Sequence, residues 1–191
     1  MGASEQPVVL QRHRVTVDEY YRMGEAGILA PDARVELIEG EVIDMAPMKS
    51  AHAAMVRLLN QRLQRTAGGS AIVSCQLPLR LAAGSEPQPD LLLLRPKADF
   101  YAARHPEPAD VLLLIEVADT SPDYDRRVKM PLYARHGVAE AWIVDLENRQ
   151  VRFFRRPAGD NYTDITASET PGVVPVAALP GAAVDLAGLF G

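Results

Sequence analysis

Hydrophobic positions along this chain fall into blocks whose period changes. VTVDEYYRMGEAGIL (15–29) opens with Thr16 and, three residues later, Glu19, the pair that makes a capping box. Tyr20, Met23 and Ile28 recur at roughly helical spacing, which predicts a short helix ending near Gly27. RVELIEGEVIDM (34–45) sets two short apolar runs around Glu39-Gly40, a β-hairpin pattern. SAHAAMVRLLNQRLQRTAGG (50–69) is the clearest helix. Val56, Leu59 and Leu63 form its apolar stripe with Met55 alongside, and the arginines fall mostly outside it. Ser50 is the expected cap, and Gly68-Gly69 ends the helix.

Downstream the pattern shifts to strands. AIVSCQLPLRLA (71–82) reads as a strand in which Pro78 marks an edge or a bulge. PDLLLLRP (89–96) is a short apolar strand, 98–110 a polar connection, and VLLLIEVAD (111–119) the next strand. SPDYDRRVKMPLYARHG (121–137) is helical as far as Gly137. Pro131 lacks a donor, so a bend is expected near Arg127 to Met130. EAWIVDLENRQVRFFRRP (140–157) gives two strands around Glu147-Asn148, with Trp142, Phe153 and Phe154 as core or sheet-face residues. The remainder, 158–191, adds an edge strand or wraps the sheet. This order predicts an α/β fold: a mixed central sheet flanked by helices, preceded by a helix and a hairpin. The length suggests a single domain over 1–191, with 1–13 as a flexible lead-in.

Composition narrows the function classes. With 48% hydrophobic and 24% charged residues the chain is ordinary for a globular protein. A net charge of −5 argues against coating nucleic acid through a general basic field, but not against local phosphate contacts. No apolar run is long enough to span a membrane. MGASEQPVVLQRHR lacks the apolar stretch of a secretory signal, so a cytoplasmic location is expected. The single cysteine, Cys75, allows no internal disulfide and no cysteine zinc cluster, and no His/Asn arrangement beside it suggests a nucleophile.

The chemistry centres on Glu116, a carboxylate inside an aliphatic run. Strand alternation puts Leu112, Leu114, Glu116 and Ala118 on one face and Leu113, Ile115 and Val117 on the other. An unpaired carboxylate there would cost several kcal/mol or bind a proton, so a basic partner, a hydrogen-bond network or a metal ion must compensate it. If strands 90–95 and 111–118 pair, Asp90 meets Glu116. A hard divalent cation held by one or two carboxylates would resolve their repulsion. The alternative is a loop-capping Asp90 and a solvated Glu116. Asp125, Lys129 and Tyr133 share a helical stripe, so Lys129 either serves the site or forms a surface ion pair. His52 points to the core side of its helix start, as a structural residue or a site residue. Glu36 is a third candidate carboxylate, while Glu39 and Glu41 read as solvated turn residues.

Taken in order, ELIEGEVIDMAP, His52, PDLLLL and IEVAD-SPDYDRRVKMPLYARHGVAEAWIVD resemble a bacterial family of restriction-endonuclease-like proteins, long catalogued as a domain of unknown function. That family lies within the PD-(D/E)xK nuclease superfamily, and the resemblance runs from about residue 14 to 189. It implies a restriction-endonuclease-like fold and a Mg²⁺-dependent DNA endonuclease, with Mn²⁺ as a substitute. Asp90 and Glu116 would be the metal-binding carboxylates. The superfamily lysine two residues after the second carboxylate is replaced by Ala118, and Lys129 on the following helix matches the family's displaced lysine. Glu36 and His52 also fall on family positions. Asp119 stands where serine is more usual, with an expected effect on local hydrogen bonding alone. An acidic enzyme of this kind would gain DNA affinity from local arginines, from a homodimer or from a partner; Arg126 and Arg127 are candidates, but read more strongly as solvated helix charges. The alternative is a catalytically inactive member that binds nucleic acid or protein. A third has the carboxylates simply paired with Arg or Lys.

Overall fold

The computed structural model describes residues 11–119 and 122–191. Most of the expected lead-in at 1–13 therefore lies outside the described residues. Helix α1 (Val17–Glu25) begins at the predicted capping box: Thr16 Oγ1 accepts from the Glu19 N–H, and the Glu19 carboxylate accepts from the Thr16 N–H. Its apolar contact differs from expectation. Val17 is the buried residue, and Ile28 lies beyond the helix and is exposed. Strands β1 (Val35–Ile38) and β2 (Glu41–Asp44) form the predicted hairpin. Its turn has φ of 48° at Glu39 and 77° at Gly40, the two left-handed residues of a type I′ turn.

Helix α2 (Ser50–Ala67) buries Val56, Leu59 and Leu63 as predicted, and Gly68 ends it in the left-handed conformation with φ 49°. Ser50 is not its cap. Lys49 holds that position, without a side-chain capping bond. Strand β3 is shorter than expected, Ile72–Cys75. Gln76 has φ 53° and turns the chain out of the sheet before Pro78 is reached. Residues 77–88 then fold back over one sheet face, burying Leu79 and Leu81. The Glu86 N–H donates to the Leu37 carbonyl at 2.8 Å and hooks the hairpin onto this segment.

Strands β4 (Leu91–Leu94), β5 (Val111–Ala118), β6 (Glu140–Asp145), β7 (Gln150–Ala158) and β8 (Asn161–Ser168) complete a six-stranded sheet, ordered β3-β4-β5-β6-β7-β8. Only the β5/β6 pair is parallel. Its crossover carries the helical turn α3 (Pro122–Tyr124), a π-helical turn (Asp125–Lys129) and α4 (Met130–Arg135). The final segment does both things expected of it. β8 is an edge strand, and β9 (Val173–Pro175) with β10 (Ala183–Asp185) brings Val184, Leu186 and Leu189 against the α2 side of the sheet.

The sheet is covered on both faces. Leu59 and Leu63 of α2 pack with Leu113, Ile115, Val117 and Trp142 on one face. Met130, Leu132 and Tyr133 pack with Leu114, Ala118 and Ile143 on the other. This double covering explains why β5 is a continuous apolar run, buried over all eight residues. One alternation expectation fails: Leu112 packs with the Leu113 side, not with Leu114. The β4/β5 ladder pairs Leu93 with Leu113 but Leu94 with Val111, so the bulge makes Leu112 the extra residue. Glu116 lies beyond the bulge and keeps its predicted face, opposite Ile143 of β6 and on the side where α4 packs.

Trp142 is the largest fully buried side chain and meets Phe153 edge-on at 5.3 Å. Trp142→Ala is expected to cost about 3–5 kcal/mol of stability, read as a fall in the urea midpoint at unchanged m-value.

Candidate active site

The β4/β5 register builds the site. Leu91 pairs with Ile115 in an antiparallel ladder, so the next position sets Asp90 against Glu116. The Asp90 N–H donates to Glu116 Oε2 at 3.2 Å, and the Val117 N–H donates to Asp90 Oδ2 at 2.9 Å. Each carboxylate is thus held by the backbone of the other's strand. His52 Nε2 lies 2.9 Å from Asp90 Oδ1, and Gln76 Nε2 donates to the same oxygen at 3.1 Å. The first turn of α2 and the departure of the chain from β3 therefore converge on one carboxylate.

Glu116 is 2% exposed and is compensated from the crossover helix. Tyr133 donates its hydroxyl to Glu116 Oε1 at 2.6 Å, and Lys129 Nζ stands 3.2 Å from the same oxygen. Lys129 Nζ is also 3.2 Å from Glu36 Oε2. Glu36 in turn accepts from the Gln88 N–H at 3.2 Å, with the Tyr124 hydroxyl 3.5 Å away. The bend expected near Arg127 to Met130 is the π-turn, in which the Met130 N–H bonds the Asp125 carbonyl. The wider turn accommodates Pro131, whose ring excludes the ordinary bond to the Arg127 carbonyl. It carries Lys129 into the interior, where it is 6% exposed.

Asp90, Glu116, Lys129, Glu36 and His52 all line one cleft of about 360 Å³, so the structure brings the five sequence candidates together. It also brings in residues that pattern reasoning missed. Gln76, Gln88 and Tyr124 bond the carboxylates directly, and Asp125, read only as part of the Lys129 stripe, lines the cleft as well. Gln88 adjoins Pro89-Asp90, and Tyr124 and Asp125 lie within five residues of Lys129, which was their sole cue; Gln76 lies far from both in sequence and carried none. Asp119 lines the cleft with Lys49 3.7 Å away. Arg126 and Arg127 instead pair with Asp123, at 2.6 and 3.4 Å. Glu39 and Glu41 are exposed turn residues paired with Arg135 and Arg14.

The electrostatics are dominated by burial. Burial pushes the Glu116 carboxyl up to about 8, against the pull of Lys129 and with help from Asp125 and Asp90. Burial likewise lifts Asp125 to about 6. For Lys129 burial disfavours the charge, but Glu116, Glu36 and Asp125 together outweigh it and hold the ammonium above the usual lysine range. Burial also works against the Asp90 charge, yet the bonds from His52, Val117 and Gln76 leave its carboxyl below the ordinary range. The hydrogen bond to Asp90 raises His52.

Among the described residues, no three His, Cys, Asp or Glu side chains form a ready cation cage. The donor set still suits Mg²⁺, which takes one or two protein carboxylates and fills its shell with waters and phosphate oxygens. Asp90 Oδ2 and Glu116 Oε2 each accept one backbone bond, which leaves each an acceptor site. Glu36, Glu116 and Asp125 crowd around one ammonium, and burial with this crowding drives the Glu116 and Asp125 carboxyls up, a penalty that a divalent cation would relieve by favouring their ionised forms.

The family model of Uma2, described as "Putative restriction endonuclease", matches residues 17–187. The chain belongs to the Uma2 family. Among solved structures it is similar to one titled a putative nuclease belonging to DUF820 from Anabaena variabilis, with a TM-score of 0.69 at 16% identity. That match covers 92% of this chain and 97% of the other. No curated protein matches the chain. The likeness establishes the expected restriction-endonuclease-like fold. No helix among the described residues is long and apolar enough to cross a membrane.

Removing Lys129 would leave Glu36 and Glu116 buried without a cation. Lys129→Met is expected to cost about 3–5 kcal/mol at neutral pH. A raised carboxyl penalises the folded state increasingly as pH climbs above its ordinary 4.5, so the deficit should shrink on acidification. Urea denaturation of wild type and variant at two pH values measures both effects.

Proposed function

We propose that this Uma2 protein is a divalent-metal-dependent DNA endonuclease, hydrolysing phosphodiester bonds in the cleft between the hairpin, α2 and the crossover helix. The observation that carries this reading is the meeting of Asp90 and Glu116 at the end of β4 and β5, with Lys129 bonded to Glu116. Family membership and the nuclease named in the neighbour's title support it. Mg²⁺ or Mn²⁺, when bound by Asp90 and Glu116, would polarise the scissile phosphate and lower the pKa of an attacking water.

The chain's own residues supply the rest. His52 and Gln76 fix the Asp90 carboxylate, and Tyr133 and the Asp90 N–H fix Glu116, so both ligands are oriented before anything binds. Lys129 presents a permanent positive charge beside Glu116, where negative charge on a phosphoryl group would develop. Glu36 holds that ammonium from the other side and keeps it from collapsing wholly onto Glu116. Gln88 and Tyr124 hold Glu36.

One observation favours a reading without turnover, in which the carboxylates form a structural ion cluster and the fold serves only to bind: Lys129 already pairs with both Glu36 and Glu116. Metal titration and turnover separate the two. Under the nuclease reading, Mn²⁺ at about 100 times its dissociation constant stabilises the protein by about 2.7 kcal/mol. Asp90→Asn removes that gain, and Glu116→Gln abolishes cutting of a supercoiled plasmid in Mg²⁺ or Mn²⁺. DNA binding without cutting, with no stabilisation by metal, would leave the binding module.

A further inference from the structure

Resting on the nuclease reading, we infer that the cleft takes single-stranded DNA one nucleotide at a time, with the base lodged against the apolar strip that shares the lining with the carboxylates. Three observations carry this. The first is depth. Asp90, Glu116 and Lys129 are 9%, 2% and 6% exposed, recessed in a cleft of about 360 Å³. That volume lies at the small-molecule end of ligand sites, roughly 300–1,000 Å³. A duplex carries its phosphates on a convex, stiff surface. A flexible single strand can bend a phosphate and its nucleotide into such a recess, whereas a stacked duplex must deform or extrude a nucleotide to do the same.

The second is an apolar strip in the same lining. The segment joining β2 to α2 lines the cleft with Met45, Ala46, Pro47 and Met48, and Ile43 of β2 continues the strip. Met45, Met48 and Ile43 are half-buried, while Ala46 and Pro47 are exposed. An apolar strip gains nothing from a charged duplex backbone. It suits the face of an unstacked base, and methionine adapts to bases of different shape.

The third is the sparseness of cations. Of the lysines and arginines lining the cleft, Lys129 is committed to carboxylates, and only Arg34 and Lys49 are exposed. Arg34 makes one long bond, 3.4 Å to the Ala46 carbonyl, and Lys49 stands 3.7 Å from Asp119. Strong binding through a duplex backbone draws on many phosphate contacts, about 6–10 where affinity falls steeply with salt, and the cleft lining offers far fewer. Two side chains at the mouth suffice for the phosphates flanking one inserted nucleotide.

The test compares a labelled single-stranded oligonucleotide with the same sequence as a blunt duplex, following cutting in Mn²⁺ and binding by anisotropy without metal. The wild type should cut the single strand about tenfold faster or more, the factor set by the cost of extruding a nucleotide from duplex. Met45→Ser combined with Met48→Ser should raise KM on the single strand with kcat nearly kept, and Met45→Leu with Met48→Leu should restore it. Arg34→Ala and Lys49→Ala should each flatten the salt dependence of single-strand binding by about 0.7 in log–log slope. Duplex cut as fast as single strand, or serine variants with unchanged KM, would overturn the inference while leaving the nuclease reading intact. If no form of DNA is cut or bound, the nuclease reading falls and takes the inference with it.

Discussion

The site depends on one ammonium placed between two buried carboxylates. Lys129 Nζ sits 3.2 Å from both Glu36 and Glu116, and the three residues come from separate elements. Such a cluster is poor evidence of stability, since desolvating the charges consumes most of what their attraction returns. Replacing all three side chains together by apolar ones of similar volume is often neutral or stabilising, unlike the loss of Lys129 alone. Its retention inside the sheet layer is therefore best explained by chemistry. The same cluster dictates nearby geometry: the hairpin must dock to deliver Glu36, and the crossover must admit a π-turn to turn Lys129 inward. Tyr133 follows one helical turn later and supplies Glu116's remaining donor.

The sheet provides the other half. Because β4 and β5 are buried on both faces, their pairing is set by tight apolar packing, and a slip of one residue would send Glu116 into the α2 side. Packing that looks purely structural thus fixes the meeting of Asp90 with Glu116. The reciprocal backbone bonds between these residues make the register and the site a single constraint. The bulge at Leu93/Leu94 absorbs the mismatch on the far side of the strand, away from the carboxylates.

Strong periodic features were legible in the sequence. The α2 stripe, the Glu39-Gly40 turn, the capping box at Thr16 and the two buried strands follow from local rules, and Glu116 stood out because it broke a run. The bulge was hidden because four leucines in a row look alike in any register. The stretch 71–82 misread as one strand because a left-handed Gln76 leaves no composition signal. That turn is what returns the chain to deliver Gln88 to Glu36. Arg126 and Arg127 were candidates for substrate contact but read more strongly as solvated helix charges. The helix surface pairs them with Asp123, while Arg34 and Lys49, distant in sequence, line the cleft.

An overall charge of −5 and a polyanionic substrate are compatible only if charge is judged locally. Screening at physiological salt confines a surface charge to about 8 Å, so distant carboxylates matter little to a phosphate inside the cleft. The near ones matter a great deal: the lining sets Glu36, Asp44, Asp90, Glu116, Asp119 and Asp125 against Arg34, Lys49, the committed Lys129 and His52. Without a cation the carboxylates oppose a phosphodiester, and Arg34 and Lys49 offset them only in part. With one, the same carboxylates become ligands, and the phosphate gains the cation as its partner. Under the proposed function, metal and DNA must then favour each other's binding by equal factors, as linkage requires. An acidic shell makes that coupling stronger than a basic one would, because the protein itself offers the phosphate so little.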